Sequence, residues 1–91
     1  MSTRRFVAIS EPPCCGLQCL GVFDDHRTAV GEVMDSMLDV RADYLNEGDV
    51  FEHDEFDEME GEGGLIMEVR YRAARDVVML KHYYYILYVD D

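Results

Sequence analysis

Positive charge is scarce in this chain: eight Lys and Arg stand against twenty Asp and Glu, for a formal net charge of −12. Neutralising phosphates takes a basic footprint, so the balance argues against direct nucleic-acid binding. It argues equally against adhesion to anionic lipid, which draws in Lys and Arg. Proline is rare, at two, while 48% of the 91 residues are apolar or aromatic; wholesale disorder is therefore not expected. No apolar run approaches the ~18 residues of a membrane span. The opening Met1-Ser2-Thr3-Arg4-Arg5 lacks an apolar signal stretch. The expectation is a cytosolic protein with one domain over residues 1–91. A chain of this size buries roughly 60–65% of the surface its unfolded form exposes, enough for one modest core.

Catalytic and ligand-binding signatures are missing too. There is no G-x-x-x-x-G-K-[ST] and no G-x-G-x-x-G, and a phosphate cradle at Gly61, Gly63 and Gly64 would sit beside carboxylates that repel its ligand. Neither Asp49 nor Asp54 starts an EF-hand loop. Cys14, Cys15 and Cys19 follow Pro12-Pro13 within six residues, and an odd count fits reduced thiols better than disulfides. Zinc would need a second ligand knuckle, for which His26 alone is at hand. No metal or cofactor is expected. A nucleophile would need a base drawn from His26, His53 or His82, and Cys15–His26 or Cys19–His82 are geometrically conceivable pairs. Nothing in the spacing selects either, and small buried or turn-lining cysteines are the simpler reading. Paired carboxylates are trivially available among twenty acids and discriminate nothing. The chain reads as non-enzymatic.

What is present reads as β-β-α-β-β: an α+β fold with a four-stranded antiparallel sheet and one amphipathic helix packed on one face. Residues 4–10 are β-prone and closed off by Glu11-Pro12-Pro13. Residues 19–23 form a second strand, paired to the first, with Gly21 weakening it or marking a bulge. Asp25 can cap a helix in which Val30, Val33, Met34, Met37, Leu38, Arg41 and Leu45 follow a core-facing rhythm. Asn46-Glu47-Gly48 stops it. Leu65, Met67, Val69 and Tyr71 alternate with Ile66, Glu68, Arg70 and Arg72, the period of a half-buried strand. Ala73-Ala74-Arg75-Asp76 is a turn. The run Val77–Val89 is apolar on both faces, as a central strand would be. One helix covers one face, so part of the tyrosine surplus must meet solvent, the acidic segment, a second copy or a partner.

Charge is the other informative feature. Glu32, Asp35, Asp39 and Asp43 form a helical row with neighbouring Cβ atoms ~5–6 Å apart. Residues 47–62 hold nine acids in sixteen positions and no Lys or Arg. That segment reads as an acidic loop or a short helical turn anchored by Phe51, Phe56 and Met59. A broad acidic face can compete for a basic groove built to hold nucleic acid, whose duplex carries about one negative charge per 1.7 Å, and charge complementarity would speed the encounter.

A small acidic α+β chain without a catalytic signature, with Gly21-Val22-Phe23-Asp24-Asp25 leading into Ala29-Val30 and closing on Tyr85-Ile86-Leu87-Tyr88-Val89, resembles the inhibitors carried by phages and mobile elements. Anti-CRISPR proteins and DNA mimics that block nucleases are among them. The resemblance implies a stoichiometric binder of a host defence protein, a CRISPR effector or another nuclease, in the host cytoplasm. It transfers no functional residue. The charge pattern itself nominates Glu52, Asp54, Glu55, Asp57, Glu58 and Glu60, supported by Asp35, Asp39 and Asp43, as the surface for a basic protein. A second possibility is a structural or regulatory module that pairs through Tyr83, Tyr84, Tyr85 and Tyr88 with another copy or a host protein.

Overall fold

The computed structural model describes residues 4–13, 16–44, 49–56, 64–73, 75 and 78–90. In chain order they form β1 (Arg4–Glu11), β2 (Gln18–Phe23), α1 (His26–Tyr44), β3 (Val50–Glu55), β4 (Leu65–Arg72) and β5 (Leu80–Asp90). The strands make one antiparallel sheet in the order β2-β1-β5-β4-β3. The helix lies over one face, mostly above β1 and β2.

The α+β class matches the expectation, but the sheet has five strands rather than four. Val50–Glu55, expected within an acidic loop or helical turn, is an edge strand. Acidic residues are weak strand formers by themselves. Here Glu52 stands opposite Arg70 and Phe51 opposite Tyr71 on β4, and opposite-charge and aromatic cross-strand pairs supply what propensity lacks. The remaining acids expected in that segment, Asp57, Glu58, Glu60 and Glu62, lie outside the described residues, as do Met59 and Glu47. The Tyr-rich strand is central, as its two apolar faces require, and begins at Leu80, a few residues into the apolar run.

Asp25 caps α1. Its Oδ1 accepts from the Arg27 backbone N–H at 2.9 Å and its Oδ2 from the Thr28 hydroxyl at 2.8 Å, satisfying a donor left open by the first helical turn. These hydrogen bonds, that from Thr28 foremost, hold the Asp25 carboxyl below its usual range. The buried stripe of the helix is Ala29, Val33 and Met37, flanked by half-buried Val30, Met34 and Val40. It is rotated from the expected stripe: Leu38 is 49% exposed, and Arg41 points to solvent. Small residues explain the rotation, because Ala29 on the helix and Ala8 on β1, both fully buried, permit close approach. Leu45 lies outside the described residues.

Two irregularities adjust which side chains reach the core. Between β1 and β2 the register shifts at Ala8/Ile9, leaving Leu20 without an opposite residue next to Gly21, the bulge that Gly21 marks. A Cβ at Gly21 would stand 2.6 Å from the Phe23 ring. Between β4 and β5 the shift falls at Leu65/Met67, so Ile66 and Met67 are both buried while Leu65 pairs with Tyr85 on the opposite face. Strict alternation had put Leu65 with Met67; a bulge inserts one extra residue and breaks that parity.

Gly64 immediately precedes β4 with φ +82°, and an added Cβ would lie 2.5 Å from the Ile86 carbonyl oxygen. Gly64→Ala should therefore cost about 1–3 kcal/mol, from left-handed backbone strain together with a clash against backbone. Urea unfolding measures this, and a midpoint equal to wild type would contradict the placement of Gly64 against β5.

Candidate functional site

Residues directly opposite in antiparallel strands project to the same face. The register therefore divides the sheet cleanly. Toward α1 go Phe6, Ala8 and Ser10 of β1, Met67, Val69 and Tyr71 of β4, and His82, Tyr84 and Ile86 of β5. Among the described residues no helix lies over the other face. It carries Val7 and Ile9 beside Leu87 and Tyr85, and at its β3–β4 end Glu52 and Asp54 beside Arg70 and Glu68.

This arrangement separates the nominated acids. Glu52 and Asp54 lie on the uncovered sheet face and are held by Arg70: Nη1 donates to Asp54 Oδ2 at 2.6 Å and to Glu68 Oε2 at 3.3 Å, and Nη2 stands 3.6 Å from Glu52 Oε2. Lys81 Nζ adds a contact to Glu68 Oε1 at 3.7 Å. The Arg70 hydrogen bond holds the Asp54 carboxyl below its ordinary range, and Asp54 in return raises Arg70. Among the described strand residues this face carries Arg5, Arg70, Arg72 and Lys81 with Glu11, Glu52, Asp54 and Glu68, four cations and four carboxylates. Glu55 is turned the other way, on the α1 side of the sheet, 3.7 Å from His53 Nε2. Asp57, Glu58 and Glu60 lie outside the described residues.

Asp35, Asp39 and Asp43 are exposed along α1 with Glu32, on the flank away from the buried stripe. Among the described residues no ion pair joins this row to a cation. The acids of the helix and the sheet acids Glu52 and Asp54 thus face opposite sides of the molecule. One set is open and the other is compensated.

The tyrosines divide as well. Tyr84 is fully buried, so it cannot serve as an interface residue; its hydroxyl shares a 3.1 Å hydrogen bond with Ser36 of α1. Burial pushes its phenol above the ordinary value. Tyr85 is half-buried on the uncovered face and donates to Glu11 Oε1 at 3.2 Å, and Tyr83 stands opposite Glu11 on the same face. Burial, with Glu11 adding to it, raises the Tyr85 phenol. Tyr88 is 53% exposed on the α1 side, where the Arg4 guanidinium sits 4.9 Å from its ring centroid.

A pair that the sequence did not suggest lies in the core. Ser10 Oγ and His82 Nε2 share a hydrogen bond of 2.6 Å, and the imidazole stacks on Tyr84 at 4.5 Å. Seventy-two positions separate the two residues, and only the β1–β5 register joins them. The Cys19–His82 pairing does not form, since β1 runs between β2 and β5 and Cys19 is exposed; Cys15, with Cys14, lies outside the described residues. A hydroxyl bonded to an imidazole forms the first two members of a nucleophilic dyad. Here Ser10 is 3% and His82 6% exposed, which leaves a substrate no approach. The pair reads as a satisfied polar contact in the core.

Burial lowers the His82 pKa from 6.5, opposed only by Glu11. The unfolded chain therefore takes up the proton first. Stability is full above about pH 6.5 and falls as pH drops toward the folded-state value, by ~1.4 kcal/mol for each unit of depression. His82→Gln, unable to titrate, should flatten this part of the pH profile. Unfolding midpoints between about pH 7.5 and 5.5 would contradict the assignment if both proteins lost stability equally.

The cavities are small. One of about 100 Å³ lies between α1 and the β3–β4 end, lined by His26, Met34 and Phe56 among others. Another of about 260 Å³ opens on the uncovered face at Ile9, Leu17 and Leu87. Ligand pockets usually hold roughly 300–1,000 Å³. Among the described residues no His, Cys, Asp or Glu cluster could hold a metal ion, and no helix is long and apolar enough to cross a membrane. No protein-family model, curated protein or solved structure matches the chain.

Proposed function

We propose that the protein is a non-enzymatic inhibitor that presses an acidic face against a basic, nucleic-acid-binding surface of another protein in the cytoplasm, in the manner of a DNA mimic. A CRISPR effector or another host defence nuclease fits the required chemistry. The observation that carries this reading is the open carboxylate row of α1. From Glu32 to Asp43 the helix rises ~16 Å and offers charges at ~5–6 Å spacing, and among the described residues no cation pairs with them. The sheet acids Glu52 and Asp54, engaged by Arg70, drop to a supporting role. The leading contacts become Asp35, Asp39 and Asp43, joined by Glu55 on the α1 side of the sheet; Asp57, Glu58 and Glu60 are nominated by their charge alone.

The test is competition. Tagged protein captures its partner from host cytosol, and labelled duplex DNA is then titrated onto the purified complex. Occlusion of a nucleic-acid channel predicts mutual displacement. Simultaneous binding of DNA and inhibitor, or a captured protein with no affinity for nucleic acid, would count against the reading.

A further inference from the structure

The uncovered sheet face differs in kind from the helix layer. Val22, Leu87 and Val89 on it are 56%, 41% and 53% exposed, and Leu17 beside it is 63% exposed, so a contiguous apolar patch faces water on β2, β1 and β5. Clustered exposure of this kind marks an interaction surface, whereas single exposed apolar side chains do not. The electrostatics identify the occupant. A chain of net charge −12 repels its own copies over most of its surface. Among the described strand residues of this face the cations and carboxylates balance, and at the β3–β4 end they are already paired through Arg70 and Lys81. Two copies can therefore meet here with little local like-charge repulsion, leaving only that between their net charges. A strongly basic partner would find no net field to attract it.

We propose that this face is where a second copy of the chain docks, sheet against sheet, as a two-fold symmetric sandwich with both α1 helices outermost. Packed sheets stand ~10 Å apart with their inner side chains interdigitated. Leu87 and Val22 supply the apolar centre, and the compensated charges form a rim. Five strands ~4.8 Å apart, paired over about six residues at ~3.3 Å each, cover ~1,000 Å² summed over two copies. This is about the minimum for a specific interface, so the dimer dissociates on dilution. The inference is independent of the inhibitor reading: the acidic rows stay on the outside, and the dimer would present two of them.

Sedimentation equilibrium of the full chain between ~1 and ~300 µM tests it. The expected result is a mass that rises from monomer to dimer with concentration. Higher salt should leave the dimer intact or strengthen it, because screening reduces the repulsion of two anionic chains. Leu87→Glu and, on a different strand, Val22→Glu should each remain monomeric while keeping the wild-type circular dichroism; both positions are exposed, and either folded variant suffices. The triple variant D35K/D39K/D43K should dimerise as wild type does. Three results overturn the proposal: a wild-type monomer at every concentration, undiminished dimerisation of a folded Leu87→Glu or Val22→Glu variant, or dissociation on adding salt. Undiminished partner capture by D35K/D39K/D43K, with dimerisation intact, would count against the inhibitor reading alone.

Discussion

Tyr84→Ala is expected to remove about 3–5 kcal/mol of folding stability, the cost of deleting a large aromatic from a packed core. Tyr84 is fully buried at the centre of the middle strand, stacked on His82 and bonded to Ser36 across the helix–sheet interface. Domains of this size are stable by about 5–15 kcal/mol in total, so the variant should be only marginally folded at room temperature. Tyr84→Phe keeps the ring and loses the hydroxyl, which should cost about 1 kcal/mol. Urea unfolding of the pair separates packing from hydrogen bonding. A loss below about 1 kcal/mol for the alanine variant would mean that Tyr84 is not at the core.

Reversing Asp35, Asp39 and Asp43 together to lysine should weaken partner capture by about 100-fold or more, because each change deletes an attraction and adds a repulsion against a basic surface. Most of the loss should fall on the association rate, since long-range charge steers encounter. The three side chains are exposed and the buried stripe of α1 is untouched, so the fold should survive, which circular dichroism verifies. The matched control is Glu52→Gln with Asp54→Asn, whose carboxylates Arg70 already compensates. That variant should change capture much less. Equal losses in the two variants would remove the distinction between an open helix row and a compensated sheet.

Much of the fold is legible in the sequence because periodicity carries it. The alternation from Leu65 to Arg72, the helical rhythm after Asp25 and the doubly apolar Tyr-rich run each correspond to an element. The strand Val50–Glu55 is where local periodicity carries no information. Its outward residues are acids whose partners, Arg70 above all, lie sixteen or more positions away, so no local signal marks a strand. The order in which Glu68, Arg70 and Arg72 follow an acidic run was the one available hint. The bulge at Ile66 likewise depends on pairing with β5 and is invisible to a strict period of two.

The candidate site was legible to a smaller degree. The acids could be counted along the chain, but only the sheet register shows that Glu52 and Asp54 face away from α1. Parity along the strand separates Tyr84 and Ile86 from Tyr83 and Tyr85. It could not say which side the helix would cover, and for that reason Tyr84 stood among the interface residues. Ser10 and His82 meet through tertiary pairing alone.

The most direct test of the functional account is the dissociation constant of the captured complex, measured by titration as ionic strength is raised stepwise. The account predicts that log Kd climbs steadily with log salt for the wild-type chain and that the slope shrinks sharply in D35K/D39K/D43K. A wild-type affinity that holds constant from low to high salt would contradict it.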